Sequence, residues 1–146
     1  MNTTGKLVRV TKHHPFWSEV IRWDIQHFSM PWKEADWEQL DEQSHLFVWL
    51  ENDIPLGFAL FHFLKGDDTA HLLKIFVLPE NQGKGVAQNF WTELLREFPS
   101  IKIYLEVEMG NMKAIKFYQK QGFLPLRTIK GYYSNGSDAL TMLLTQ

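Results

Sequence analysis

At 146 residues the chain has the length of one domain with room for a proper core. Its 45% hydrophobic and 14% aromatic content, with six Trp, excludes a disordered polypeptide, and a formal net charge of −2 gives no overall reason to expect nucleic acid or an anionic membrane as partner. The absence of cysteine excludes disulfides, thiolate zinc sites and Cys nucleophiles, and fits a reducing cytoplasm as the expected setting. No apolar run approaches the roughly 20 residues of a membrane span, and the N-terminal residues lack the apolar segment of a signal peptide.

The chain reads as alternating strands and helices without repeats or linkers. A short strand is expected over 6–10. Trp17, Val20, Ile21 and Ile25 share one side of a helix predicted over 14–28, with Pro15 in its first turn. Pro31 and Trp32 interrupt it, and a second, acidic helix is predicted over 33–43. Residues 46–50 and 56–64 are nearly continuous apolar runs separated by a turn at Asn52-Asp53-Ile54-Pro55. Strands apolar on both sides imply a sheet covered on both faces by helices.

A turn at Lys65-Gly66-Asp67-Asp68 leads into a strand over 71–77. A helix follows, marked by Val86, Ala87, Phe90, Trp91, Leu94, Leu95 and Phe98 at intervals of three and four. Ile101, Ile103, Leu105 and Val107 then alternate with Lys102, Tyr104, Glu106 and Glu108, which is the period of a strand. A short helix over 112–121 is stopped by Gly122. Last strands are expected over 123–129 and 138–144, joined through a loop carrying Tyr132 and Tyr133. The pattern is mixed α/β, with a strand–helix–strand unit in the middle.

The chemistry concentrates at Ile75-Phe-Val-Leu-Pro-Glu-Asn-Gln82-Gly83-Lys84-Gly85-Val86-Ala87. An apolar strand runs into a glycine turn that opens a helix, and free N–H groups at a helix N-terminus form an anion site suited to a diphosphate. A nucleotide P-loop needs Ser or Thr after Gly-Lys, which is absent. A dinucleotide fingerprint needs Gly-x-Gly-x-x-Gly early in a repeated βαβ series, and this unit stands alone and late. The turn by itself reads equally as plain turn chemistry or as a phosphate cradle.

Gln82-x-x-Gly85-x-Ala87 resembles the pyrophosphate loop of the GNAT superfamily of acyl-CoA-dependent N-acyltransferases. Leu105-Glu106-Val-Glu108-Met-Gly-Asn111 through Phe117-Tyr118 to Gly122-Phe123 is similar to that superfamily's strand–Asn–helix–Tyr–Gly–Phe segment. Phe28-Ser-Met-Pro31-Trp32 and Tyr132-Tyr133…Asp138-Ala139…Met142 further resemble ribosomal-protein-alanine N-acetyltransferases and the catalytic subunits of N-terminal acetyltransferases. The resemblance implies a GNAT-like fold: a central, mostly antiparallel twisted sheet of six or seven strands, splayed in the middle, with helices on both faces and one domain over 1–146.

The resemblance also implies acetyl-CoA as co-substrate, with backbone groups of Ile75, Phe76 and Val77 along its pantetheine arm. Gln82, Gly83, Lys84, Gly85, Val86, Ala87 and Gln88 would hold the pyrophosphate, and Asn111 would bond to the coenzyme. Many members place a basic Glu where Leu73 stands; here Glu106 on the following strand takes that role, with Glu108 in reserve, and Tyr118 is the implied general acid. Trp32, Tyr132 and Tyr133 would border the acceptor. Two departures stand out: Ala87 for the commoner Gly, and Lys74 for a smaller polar residue, a change expected to alter which substrates fit.

The expected acceptor is the N-terminal α-amine of a protein or peptide; a polyamine, amino acid or antibiotic is the alternative, and a non-catalytic acyl-CoA sensor a second one. Glu34, Asp36, Glu38, Asp41 and Glu42 form an acidic run that reads either as a solvated face or as a lure for a cationic acceptor. His62 and His71 face each other if their hairpin turns tightly, but two ligands make no metal site, so no metal is expected. The chain is expected to act as a monomer or homodimer.

Overall fold

A computed structural model describes residues 5–64, 66 and 68–146. The elements are β1 (Gly5–Val10), α1 (Trp17–His27), α2 (Glu34–Glu38), β2 (Ser44–Glu51), β3 (Ile54–Phe63), β4 (Thr69–Val77), a single 3-10 turn at Pro79–Asn81, α3 (Val86–Glu97), β5 (Lys102–Glu108), α4 (Met112–Lys120), β6 (Leu124–Ile129) and β7 (Ala139–Leu144). Among the described residues seven strands form one sheet in the order β1-β2-β3-β4-β5-β7-β6, antiparallel at every pair except β4 with β5.

Both faces are covered, as the two-sided apolar strands require. On one face Val20, Trp23 and Trp37 from α1 and α2 pack on Val48, Phe58, Leu60 and Phe76. On the other, Phe90, Trp91 and Leu94 of α3 with Ile115 and Tyr118 of α4 pack on Phe61, Leu72, Ile103, Leu105 and Met142. Phe90, Trp91 and Leu94, on the predicted stripe of α3, are fully buried.

Several boundaries move for local reasons. The first helix starts at Trp17, because the residue before Pro15 is pushed out of helical conformation. His14 instead makes a turn, its Nδ1 accepting the Phe16 N–H at 3.0 Å. The second helix is only five residues long. Asp41 draws the chain out of helix by accepting the Gln43 N–H at 2.9 Å, and β2 begins at Ser44. The turn between β2 and β3 is the pair Asn52-Asp53, both at positive φ, so Ile54 and Pro55 belong to β3. Lys65 and Asp67, two residues of the turn expected before β4, lie outside the described residues.

Two contacts fix the position of β4 and α4. At Gly57 a Cβ would sit 2.2 Å from the Phe76 carbonyl oxygen, so only glycine lets β3 lie this close to β4. Helix α4 ends with the Phe123 N–H on the Tyr118 carbonyl and the Gly122 N–H on that of Gln119, both at 3.0 Å. The Tyr118 and Phe123 rings pack at 5.5 Å under that turn, which is the Schellman arrangement and holds Tyr118 in register.

Candidate active site

The sheet opens between β4 and β5. They pair in parallel only from Thr69↔Lys102 to His71↔Tyr104. Beyond that point β4 keeps its β3 partner as far as Val77, and β5 keeps its β7 partner as far as Glu108. The two facing edges therefore run on without strand partners, offering N–H and C=O groups to whatever lies between them. A bulge contributes to the divergence: Leu60 faces Lys74 while Phe61 faces Leu72, leaving Leu73 as an extra residue in β4. Bulges bend a strand and redirect its side chains. Leu72 packs beneath α3 and α4, whereas Leu73 packs with the α1 cluster and Lys74 reaches Asp24 of α1.

The fork is part of a cleft of about 880 Å³. At the end of β4 the Gln82 amide donates to the Val77 carbonyl at 2.8 Å, and Lys113 of α4 donates to the Gln82 side-chain oxygen at 3.2 Å. The chain then turns through Gly83 and Gly85 at φ +75° and +81°. A side chain at either would meet nothing within 4 Å, so what the turn demands of glycine is the left-handed backbone. The first closing bond of α3 runs from the Asn89 N–H to the Gly85 carbonyl, which leaves the preceding N–H groups without intrahelical acceptors. Gly83, Gly85, Ala87 and Gln88 line the cleft there, with the cations Lys113 and Lys120. Open amides, a helix N-terminus and two ammonium groups suit a polyanion, and the unpaired strand edges suit an amide-bearing arm.

Glu106, at the open part of β5, holds two short hydrogen bonds in the cleft. Its Oε1 accepts from His71 Nε2 at 2.8 Å and from the Tyr132 hydroxyl at 2.8 Å. Burial alone pushes this carboxyl up, but the His71 hydrogen bond and charge, with the Tyr132 hydroxyl, outweigh it and hold the group below the usual carboxylate range. His71 stacks on Tyr104, ring centroids 4.2 Å apart and nearly parallel. Tyr118, on α4, is almost wholly buried, and burial, then the nearby Tyr133, pushes its phenol far up. It therefore keeps its proton throughout the range in which enzymes work.

The same cleft is lined by two loops. Residues 28–32 are tied to β4 by Asp24, which is fully buried: one oxygen takes the Lys74 ammonium at 2.7 Å and the other the Trp32 N–H at 2.8 Å. The ammonium also lies 4.5 Å from the Phe28 ring centroid and 5.1 Å from that of Trp32. Across from it, the loop between β6 and β7 is pinned by Asp138, which accepts the Gly131 N–H at 2.9 Å, and by a turn from Tyr133 to Gly136. Burial raises Tyr132, helped by its bond to Glu106 and by that charge, and Tyr133, helped by Glu106 and Glu108, both to about 12. The Ser134 hydroxyl meets Met30 Sδ at 3.2 Å, joining the two loops.

The cleft gathers Glu106, Glu108, Tyr118, Ile75, Phe76, Val77, Gln82, Gly83, Gly85, Ala87, Gln88, Asn111, Trp32, Tyr132 and Tyr133. Lys84 and Val86 do not line it. Lys84 is exposed and Val86 is buried in the core, so Val86 can take part only through its backbone. Two of these side chains have partners within the protein. Gln88 exchanges amide bonds with Gln121 at 2.7 and 3.1 Å, joining α3 to α4. The Asn111 side-chain oxygen caps α4 on the Ala114 N–H at 3.2 Å.

Of its two readings, the acidic run takes the solvated face. None of its five carboxylates lines the cleft; Asp36 caps α2 through the Lys33 N–H, Glu38 pairs with Lys12 and Asp41 forms its turn. His62 and His71 do face each other in register, but His71 turns to Glu106. Among the described residues no three potential ligands cluster. Lys113 and Lys120, which line the cleft, and Asp24, buried behind it against Lys74, escaped the sequence reading, since only tertiary packing puts these charges in place.

A mostly antiparallel sheet forked at its single parallel pair, with a glycine turn and helix N-terminus at the end of one arm, defines an acyl-CoA-dependent acyltransferase. The chain belongs to the acetyltransferase (GNAT) family, whose model matches residues 13–123, and its co-substrate is acetyl-CoA. It is 36% identical over 76 residues to an N-alpha-acetyltransferase of Saccharolobus solfataricus, a match spanning 49% of this chain and 46%, about half, of that relative. It is 24% identical over 143 residues to N-alpha-acetyltransferase 30 of Schizosaccharomyces pombe, spanning 95% and 87% of the two chains. The ribosomal-protein-S18-alanine N-acetyltransferase of Escherichia coli shares the fold at TM-score 0.82 and 22% identity over 97% and 94% of the chains. Spermidine N-acetyltransferase of Vibrio cholerae, in complex with CoA and spermine, shares it at 0.81 and 20% over 97% and 95%.

Proposed function

We propose that this chain transfers the acetyl group of acetyl-CoA to the N-terminal α-amine of a protein or peptide. The observation that carries the reading is the charge of the cleft wall. Among the described residues its carboxylates are Glu106 and Glu108; the Lys74 ammonium is already paired with Asp24, Lys113 and Lys120 stand by the glycine turn, and the acidic run lies elsewhere. A polyamine would need compensating anions that this wall lacks. One α-amine needs a single base, and a following peptide can bond to the hydroxyls of Tyr132 and Tyr133. The resemblance to N-alpha-acetyltransferases supports the same choice.

In this reading the unpaired edges of β4 and β5 hold the pantetheine arm, and the amides around Gly83–Gln88 with Lys113 hold the pyrophosphate. Glu106, through a water, takes a proton from the amine as its nitrogen bonds to the thioester carbon. The carbon–sulfur bond then breaks and Tyr118 gives its proton to the departing thiolate; the amide and a free thiol result. An α-amine, with a pKa of about 8, is partly neutral at pH 7, so the base needs little strength.

The test is mass spectrometry of products after incubation with acetyl-CoA, a library of peptide N-termini and a set of free amines. A peptide acetylated on its α-nitrogen with the highest kcat/KM is expected. A polyamine or amino acid outrunning every peptide would replace this acceptor, as the likeness to a spermidine acetyltransferase allows. Stabilisation by acetyl-CoA without thiol release under any acceptor would point to the sensor instead.

A further inference from the structure

We propose that His71 is a positioning residue for Glu106: it fixes one carboxylate oxygen so that the other stays free to take the proton of the acceptor amine. The proposal rests on the reading of Glu106 as base. A carboxylate can only accept, so the 2.8 Å contact to Oε1 means that His71 Nε2 carries the hydrogen. Oε1 also holds the Tyr132 hydroxyl and is doubly occupied, whereas Oε2 has no partner among the described residues. The imidazole is itself held in place. It lies flat on Tyr104, with an interplanar angle of 13°, and it belongs to the last β4 residue paired with β5, Glu106 to the second beyond. The anchor therefore stands on rigid sheet while the anchored group stands in the fork.

The groups facing this pair are His62 of β3 across from His71, Tyr104 and Glu108 of β5, and Tyr132 and Tyr133 of the loop between β6 and β7. Burial raises the Glu106 carboxyl and His71 opposes it, so without the imidazole the carboxyl should titrate at higher pH. A base held by one fewer charge-assisted bond should also sample unproductive orientations, costing roughly 10- to 100-fold in kcat.

The experiment compares the wild-type protein with His71→Leu and His71→Gln, using carboxyl-carbon NMR of labelled Glu106 (assigned through Glu106→Gln) and pH profiles of kcat and KM. His71→Leu should raise the Glu106 titration midpoint, lower kcat and leave KM for acetyl-CoA unchanged, while His71→Gln, which still offers an N–H, should restore much of the rate. An unmoved midpoint in His71→Leu, or equal impairment in both variants, would overturn the positioning role. The NMR midpoint requires no acceptor and no turnover. Full activity in Glu106→Gln would instead remove Glu106 as base, a separate failure. Coenzyme A binding measured by calorimetry establishes that each variant is folded.

Discussion

Asp24→Ala removes the anion from a buried ion pair, and its cost can be worked out beforehand. The Lys74 ammonium is only about 6% exposed and bonds to Asp24 at 2.7 Å. Breaking a buried pair by deleting one partner costs about 3–5 kcal/mol, because the remaining charge is left without compensation. The Trp32 N–H loses its acceptor as well, adding about 1 kcal/mol. With 146 residues the unfolding entropy is about 0.3 kcal/mol/K, so a loss of about 4 kcal/mol lowers Tm by about 13 °C. Calorimetry or urea unfolding at pH 7 measures this directly.

The pH dependence gives a second handle. Burial holds Lys74 below its ordinary 10.5, with Asp24 partly opposing; removing Asp24 takes the group lower still. Below 10.5 the unfolded chain then binds more protons than the folded one, so the stability of Asp24→Ala should rise with pH as it approaches that value. The double variant Asp24→Asn/Lys74→Met should be more stable than either single one, since it leaves no unpaired charge. A single-variant loss under about 1 kcal/mol, or a double variant equal to the sum of Asp24→Asn and Lys74→Met, would refute the reasoning.

Glu106→Gln should lower turnover about 10²-fold or more with the affinity for acetyl-CoA unchanged, and Glu108→Gln should do much less; steady-state kinetics on both variants checks the order. Tyr118→Phe keeps the ring that packs on Phe123 and loses only the hydroxyl, so kcat should fall while the melting temperature hardly moves. Toward an α-amine, kcat/KM should climb to about pH 8 as the amine loses its proton and stay level to about pH 10. Tyr118, Tyr132 and Tyr133 keep their protons over that range, the latter two being raised to about 12. A fall above pH 8.5 in that profile would contradict it. Gly57→Ala should destabilise the protein severely, because its Cβ would meet the Phe76 backbone, which no side-chain rotation relieves. Thermal unfolding reads that loss.

The sequence by itself determined what local chemistry determines. The 3.6-residue period from Val86 to Phe98 and the alternation from Ile101 to Glu108 hold in the structure, because each pattern has a single face that excludes water. The glycine turn was legible because few residues other than glycine hold the backbone at φ +75° and +81°, and the stop after α4 because Gly122 follows it. Those local signals, in order, were enough for the family. Where local signals competed, at Pro15 and Asp41, the boundaries shifted by several residues, since a side chain offered the backbone a bond outside the helix.

Only the tertiary structure decided how the charges pair. His71 and Glu106 are 35 residues apart, Asp24 and Lys74 are 50 apart, and neither pairing has a periodicity to announce it. The bulge at Leu73 is a matter of register with β3, and it is what sends Lys74 toward α1. Within the acidic run Asp36 caps a helix, Glu38 makes a surface ion pair and Asp41 forms a turn, because a charge in sequence has a sign but no direction. Direction comes from the sheet, where the brief pairing of β4 with β5 sets which side chains face the cleft.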